Sequence, residues 1–310
     1  MKDLDSAGLD CLAALADERS FERAAQRLAI TQSAVSQRLR SLEAQVGQLL
    51  VVRSRPLRLT EGGKVLLRFA RQLQALRSDV VRELGARAAP HERVAIAINA
   101  DSLATWVLPA LEPVVQQGLR EGYGLELVVD DQDFTHDWLR QGEVLGCVST
   151  VRQALRGCTV QPLGVMRYVA VASPDFMREQ LPNGLTAGNF AQTPFMVFNR
   201  KDDTQVLWVA KAFGVRAPRL RERYVPSSEA YVRAVGMGWG VGVAPELQVR
   251  ALIASGELVC LRPEISVDVA LYWHQWKLVS ELVAAPTRVA LLDQIGQALA
   301  LGAKKALSLA

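Results

Sequence analysis

The stretch FERAAQRLAITQSAVSQRLRSLE, Phe21 to Glu43, decides how this 310-residue chain begins. Ser20 supplies a side-chain acceptor for a helix over Phe21 to Leu28. Thr31 does the same for a second helix from Gln32 to about Val46, and Gly47 stands just past its end. Two short helices joined by a three-residue turn must cross closely. Ala24 and Ala25 are small enough for the crossing, and Leu28, Ile30, Val35, Leu39 and Leu42 supply apolar contacts. Positions 35, 39 and 42 form one stripe of the second helix, so the opposite face presents Gln32, Ser33, Ser36, Gln37 and Arg40. Those side chains suit a duplex: Gln pairs with adenine, Arg with guanine, and Ser with bases or phosphates. The helix N-terminus adds partial positive charge beside phosphate.

The charge distribution agrees. The chain carries +4 overall, but residues 1–90 hold 15 basic and 10 acidic groups, while the rest hold 21 and 22. Eight arginines fall between Arg19 and Arg58 against Glu22 and Glu43. A basic module joined to a near-neutral one reads as a polyanion reader attached to something else. The run Leu49 to Val52, the turn-like Arg53-Ser54-Arg55-Pro56, and Leu57 and Leu59 describe a short β-hairpin. Its Arg53, Arg55 and Arg58, together with Arg38, join the DNA-binding candidates. Upstream, Leu4, Leu9, Leu12, Leu15 and Ala16 have near-helical spacing. Downstream, Thr60 precedes an amphipathic segment over 61–87, with Val65, Leu66, Phe69, Leu73, Leu76, Val80 and Leu84 at helical spacings. Such a helix, roughly 40 Å long, finds its simplest partner in a second copy of itself. Gly85 to His91 breaks the pattern as a linker.

From Arg93 the texture changes to alternating strands and helices. Strands are expected at Val94–Ile98, Leu125–Val129, Val144–Ser149, Tyr168–Ala172, Val241–Ala244, Leu258–Leu261 and Ala270–Trp273. Helices are expected at Ser102–Gln117, Asp133–Gln141, Thr204–Phe213, Ser228–Val235 and Pro245–Ala254, with a last one from Pro286 or Thr287 toward Leu301. This is an α/β pattern with a largely parallel sheet, and the tail 302–310 should fray.

Several function classes lose support. No apolar run has membrane-span length, and the acidic start lacks a secretory h-region. Cys11, Cys147, Cys158 and Cys260 are widely spaced and read as small hydrophobes in a reducing cytoplasm. His91, His136 and His274 form no metal cluster. The run Gly236 to Gly242 has Val241 at the third glycine's place and precedes a strand, so it is no dinucleotide fingerprint. No nucleophile elbow or phosphate loop is present, so neither an enzyme nor a cofactor is expected.

The segment AAQRLAITQSAVSQRLRSLE (Ala24–Glu43), the hairpin, and Thr60-Glu61-Gly62-Gly63 resemble the winged helix-turn-helix of the LysR-type transcriptional regulators. The likeness continues through Asn99 to Trp106, Gly142-Glu143-Val144, Ser227 to Ala230 and Leu271 to His274, which look like the lysine- and arginine-responsive ArgP/LysG branch. Many family members have proline where Ser33 stands, but that branch shares the serine. The resemblance implies an α/β multidomain chain. Its parts would be a winged helix-turn-helix over 1–60, a dimerising linker helix and hinge over 61–91, and a two-lobe effector domain of the type 2 periplasmic-binding-protein shape over 92–310. Lobe one would cover 92–165 and 269–301, and lobe two 166–268. Implied partners are double-stranded DNA, a basic amino-acid effector and further copies of the chain, as homodimer or homotetramer, with RNA polymerase as another candidate. Half-sites would lie about one helical turn apart, or multiples of it. The target genes would serve amino-acid export or biosynthesis. The alternative is an amino-acid-binding nucleoid protein without a specific operator.

Within two lobes, a cleft between them senses the ligand. Asp101-Ser102 follows a strand and opens a helix, so an effector carboxylate fits at Ser102 with Thr105 nearby. Ser149, Thr150 and Ser228 point to the same cleft by topology. Asp130 and Asp131, or Asp202 and Asp203, would counter a basic side chain, and Asp101 and Glu229 the α-amino group. Trp106, one turn into the helix, is placed beside the ligand. Ordinary helix capping and surface acids are the alternative reading of each.

Overall fold

The computed structural model describes residues 4–84, 93–130, 135–277 and 290–308. Helix α1 (Ser6–Glu18) is capped by Asp5, α2 (Phe21–Arg27) by Ser20, and α3 (Gln32–Val46) by Thr31, whose side chain accepts from Ala34 N. Gly47 ends α3 with φ 74°. Strands β1 (Val51–Val52) and β2 (Arg58–Leu59) form the hairpin. Leu9, Leu12, Leu15, Ala24, Val35, Leu39 and Leu42 close one core with Leu50, Leu57 and Leu66. Helix α4 (Glu61–Glu83) follows, about 35 Å long. Its start packs so tightly that a Cβ on Gly63 would lie 2.1 Å from the Leu50 carbonyl oxygen. The expected linker at 85–91 lies outside the described residues.

The second part is built on a six-stranded sheet of order β4-β3-β5-β10-β6-β9. Strands β3 (Arg93–Asn99), β4 (Gly124–Asp130) and β5 (Gly146–Ser149) run parallel. Two long antiparallel strands, β6 (Cys158–Ala172) and β10 (Val259–Trp276), join the lobes, and β9 (Gly242–Pro245) pairs with β6. A separate parallel pair, β7 (Pro194–Val197) and β8 (Arg221–Tyr224), belongs to lobe two. The helices are α5 (Ala100–Ser102), a π-helical segment (Leu103–Val107), α6 (Leu108–Glu121), α7 (Thr135–Gln141), α8 (Pro174–Gln180), α9 (Thr204–Phe213), α10 (Ser228–Gly236), α11 (Glu246–Ala254) and α12 (Leu291–Ala306).

Three expectations are corrected. The large sheet is mixed rather than largely parallel, because β6 and β10 are antiparallel ribbons. The strands expected at 258–261 and 270–273 are parts of one 18-residue strand, whose exposed polar middle hid the continuity. The tail does not fray at 302: α12 runs to Ala306 because Leu299, Ala303 and Leu307 form one buried stripe, and Ser308 bridges to Val165. The expected start of that helix at 286 or 287 lies outside the described residues. No described helix is long and apolar enough to cross a membrane.

Candidate functional site

On α3 the side chains of Gln32, Ser33, Gln37 and Arg40 are exposed, as expected for a helix whose other face is core. Ser36 accepts from two guanidinium groups, Arg40 at 3.2 Å on the same helix and Arg53 at 3.3 Å on the hairpin. Arg53 also lies 5.2 Å over the Phe21 ring. Helix and wing thus form one surface, with Arg55 and Arg58 exposed further along. Arg38 departs from the set: it is half-buried and turns toward α1, where it meets the Cys11 thiol. Among the described residues, no ion pair holds Arg40, Arg53, Arg55 or Arg58. The arginines on the far side of the same unit are paired, Arg27 with Asp17 at 2.5 Å and Arg23 with Glu18 at 3.7 Å. Uncompensated cations are therefore concentrated on the face that α3 and the wing share, as phosphate binding requires.

A cleft separates the lobes. Lobe one supplies Asn99, Ala100 and Asp101, where β3 enters α5. Lobe two supplies Phe198, Asp202 and Thr204 before α9, Ser228 and Tyr231 from α10, and Gln248 from α11. Tyr168 of β6 lies between them. Asp101 spans the gap: Ser228 donates to its Oδ1 at 2.6 Å and Tyr168 to its Oδ2 at 2.8 Å. Asp202 is fixed by the Phe198 and Thr204 backbone N–H groups at 3.1 and 3.0 Å and by Gln205 Nε2 at 3.0 Å. Burial pushes the Tyr231 phenol up, and Asp202 and Asp101 add to it, so it stays neutral. Asn99 is 2% exposed, yet its Oδ1 has no partner, a buried acceptor facing the cleft. The described residues that line the cleft include two carboxylates and no lysine, arginine or histidine.

Of the residues expected from sequence, Asp101, Asp202 and Ser228 line this cleft together. Ser102 lies behind it, fully buried, with an unpartnered Oγ. Thr105 donates to the Asp101 carbonyl at 2.6 Å, and with Trp106 it lines a separate groove against α11 and α12, so neither reaches the cleft. Both lie in the π-helical segment, whose wider turn departs from the regular α-helical spacing by which they were placed. Ser149 is buried and accepts from Val151 N in a local turn, with Thr150 beyond it. Asp203 stands at the α9 cap and Glu229 in the exposed first turn of α10; neither lines the cleft. Asp130 closes β4 opposite Asn99. Its side chain, and Asp131 altogether, lie outside the described residues. Sequence reasoning missed Asn99, Tyr168, Phe198, Thr204, Tyr231 and Gln248. Tyr231 had a signal, three residues beyond Ser228 on the same helical face, and Asn99 stands two residues before Asp101; the others had none.

A winged helix-turn-helix, a long linking helix and a two-lobed polar cleft define a DNA reader coupled to a small-molecule sensor. Residues 7–64 match the family described as bacterial regulatory helix-turn-helix protein, lysR family, and residues 87–290 match the LysR substrate binding domain. The chain belongs to the LysR family of transcription regulators. It is 44% identical over 283 residues to the HTH-type transcriptional regulator ArgP of Aeromonas salmonicida, covering 90% of this chain and 92% of that one. The crystal structure of ArgP from Mycobacterium tuberculosis superposes with a TM-score of 0.81 at 39% identity, covering 99% of this chain and 100% of that one. Full-length LysG from Corynebacterium glutamicum, solved with bound effector Arg, has a TM-score of 0.69 at 33% identity and covers 98% and 99%.

Proposed function

We propose that this regulator works in the cytoplasm and senses a basic amino acid, lysine or arginine, between its lobes, so controlling genes for amino-acid export or biosynthesis. The charge of the cleft carries the reading. Asp101 and Asp202 come from opposite lobes, and among the described residues no cation lines the space between them. A ligand that bridges the lobes must bring positive charge to both. A neutral amino acid has one ammonium, already offset by its own carboxylate. The arginine held by the LysG relative supports the same class. The division of labour follows the expected units: 1–60 for DNA, 61–91 for linking, and 92–310 for the ligand. Gln32, Ser33, Ser36, Gln37, Arg40 and the wing arginines read the duplex. Exposed Val65, Phe69, Val80 and Leu84 along α4 support a homodimer through that helix.

Thermal-shift titration tests the ligand. Lysine or arginine should raise the unfolding midpoint in step with RT ln(1 + [L]/Kd), while norleucine and glutamate should not. Equal shifts from norleucine would remove the basic side chain from the reading. Footprinting on genomic fragments should show protection at defined sites, whereas uniform protection would favour a nucleoid role.

A further inference from the structure

Arg71, midway along α4, joins three parts of the chain. Its side chain is only 12% exposed, and Nη2 lies 2.5 Å from Asp17 on α1 and 3.8 Å from Glu143 just past α7. Its Nη1 donates to the Glu143 carbonyl. Arg19, which closes α1, approaches Glu143 at 3.2 Å, and Arg27 of α2 approaches Asp17 at 2.5 Å. Three guanidinium groups and two carboxylates from the DNA-binding unit, the linker helix and lobe one thus form one network. The backbone closes the same contact. Arg68 donates to the Arg140 carbonyl at 2.5 Å. Gly142, with φ +76°, lies so near α4 that a Cβ would stand 2.9 Å from the Arg68 nitrogen.

The other end of α7 is tied to β5, the neighbour of the strand β3 that carries Asn99 into the cleft. Thr135, the first residue of α7, donates to the Val148 carbonyl of β5 at 2.6 Å, one residue past the Cys147 that pairs with Ala97 of β3. At the far end of α7, Gly142 N donates to Leu139 O and Glu143 N to Trp138 O, so the loop moves with the seven-residue helix. We infer that Glu143 is a latch through which the effector lobe governs the DNA-binding unit of its own chain. Closed, it holds α1 and α4 against lobe one. A shift of the cleft edge withdraws Glu143 through α7 and leaves Arg71 bonded to Asp17 alone. Loss of one partner from a half-buried network strands a charge, so the contact favours two states over a graded slide. The closed contact stands on its own geometry; its control by ligand rests on the basic amino-acid reading above. Glu143 is a positioning residue and lines neither the cleft nor the α3 face.

Hydrogen exchange on the full-length protein tests this, with and without saturating arginine, and with arginine binding checked by calorimetry on the same samples. Without ligand, Glu143→Gln should speed exchange in α1 and the middle of α4 about tenfold. Gly142→Ala, which forces the contact apart without changing charge, should do the same, while Glu143→Asp should stay near the parent. Arginine should alter exchange in these helices of the parent, and that response should disappear in Glu143→Gln although arginine still binds. Equal exchange in parent and Glu143→Gln without ligand would overturn the latch. An undiminished arginine response in the variant would overturn its control by ligand. If calorimetry finds no arginine or lysine binding, the basic amino-acid reading falls and ligand control falls with it; the unliganded comparison still decides the contact.

Discussion

On the outer face of α3, Gln32, Gln37 and Arg40 point to solvent, and the arginines of that surface have no carboxylate partners among the described residues. In the cleft, Asp101 and Asp202 are held by hydroxyl and N–H donors from β6, α9, α10 and the loop after β7. The first surface keeps its charge unsatisfied for a polyanion that arrives from outside. The second occupies its charge internally. A DNA reader can therefore be assembled from one local segment, whereas a ligand sensor needs residues far apart in sequence.

The sharpest way to break that contrast is to damage one region and read the other. Leu39→Ala removes a side chain at 1% exposure from the α3 core and should cost the DNA-binding unit about 2–5 kcal/mol. Thermal unfolding should show an early transition for that unit while arginine affinity stays at the parent value. In the other region, Asp101→Asn keeps the shape but removes the charge; calorimetry should record a loss of basic amino-acid affinity of about 3 kcal/mol. DNA affinity without ligand should not change. If Asp101→Asn binds arginine as the parent does, the cleft carboxylates are structural.

Smaller effects refine the DNA side. Arg40→Ala should weaken operator binding by about 1–3 kcal/mol and relax the sequence preference. Arg55→Ala should weaken all duplexes alike and lower the slope of log affinity against log salt by about one. Mobility-shift titrations at several salt concentrations separate the two; identical behaviour would mean that wing and helix are not distinct readers.

The mildest effect belongs to lobe one and pH. His274 Nε2 meets the Val151 carbonyl at 2.7 Å, so Nε2 carries the proton, while its buried Nδ1 has no partner. The His136 ring lies edge-on at 5.0 Å. Burial holds both imidazoles below their ordinary value; Arg140 presses His136 further, and the Val151 bond partly offsets the effect at His274. The unfolded chain then binds protons that the native pair refuses. Stability is full above the ordinary histidine value of about 6.5 and declines as pH falls toward the lowered native values. Unfolding midpoints should fall between about pH 7 and 5, with a flatter slope in His274→Gln. A parent profile with no slope in that window would remove the pair as its source.

The same contrast explains what was legible in sequence. Ser20, Thr31 and Gly47 act within a few residues of themselves, so the helix ends, the inward stripe 35–39–42 and the outward face followed from spacing. Asp101 was legible where a strand passes into a helix, Ser228 at a helix start, and Asp202 as one of an acidic pair. Tyr168 and Gln248 were not, because each reaches the cleft only through the packing of β6 and α11. Thr105 and Trp106 were placed by regular helical spacing, which the π-helical segment breaks. Arg38 was grouped with the DNA-binding candidates beside Gln37, but the step of about 100° between neighbours on a helix sets it against Cys11. The thiols of Cys147 and Cys158 behave as read: both are buried and raised by burial, Cys158 to about 12.

Strands β6 and β10 are paired along most of their length, with irregular register between Leu261 and Ser266 and again at Leu271 and Tyr272. A two-ply ribbon of this kind resists stretching and slippage, because either would break many backbone bonds together. It yields to torsion, most easily where the pairing is already interrupted. Relative motion of the two lobes is thereby steered toward a swivel about one axis, and the geometry of that axis is woven into the backbone itself.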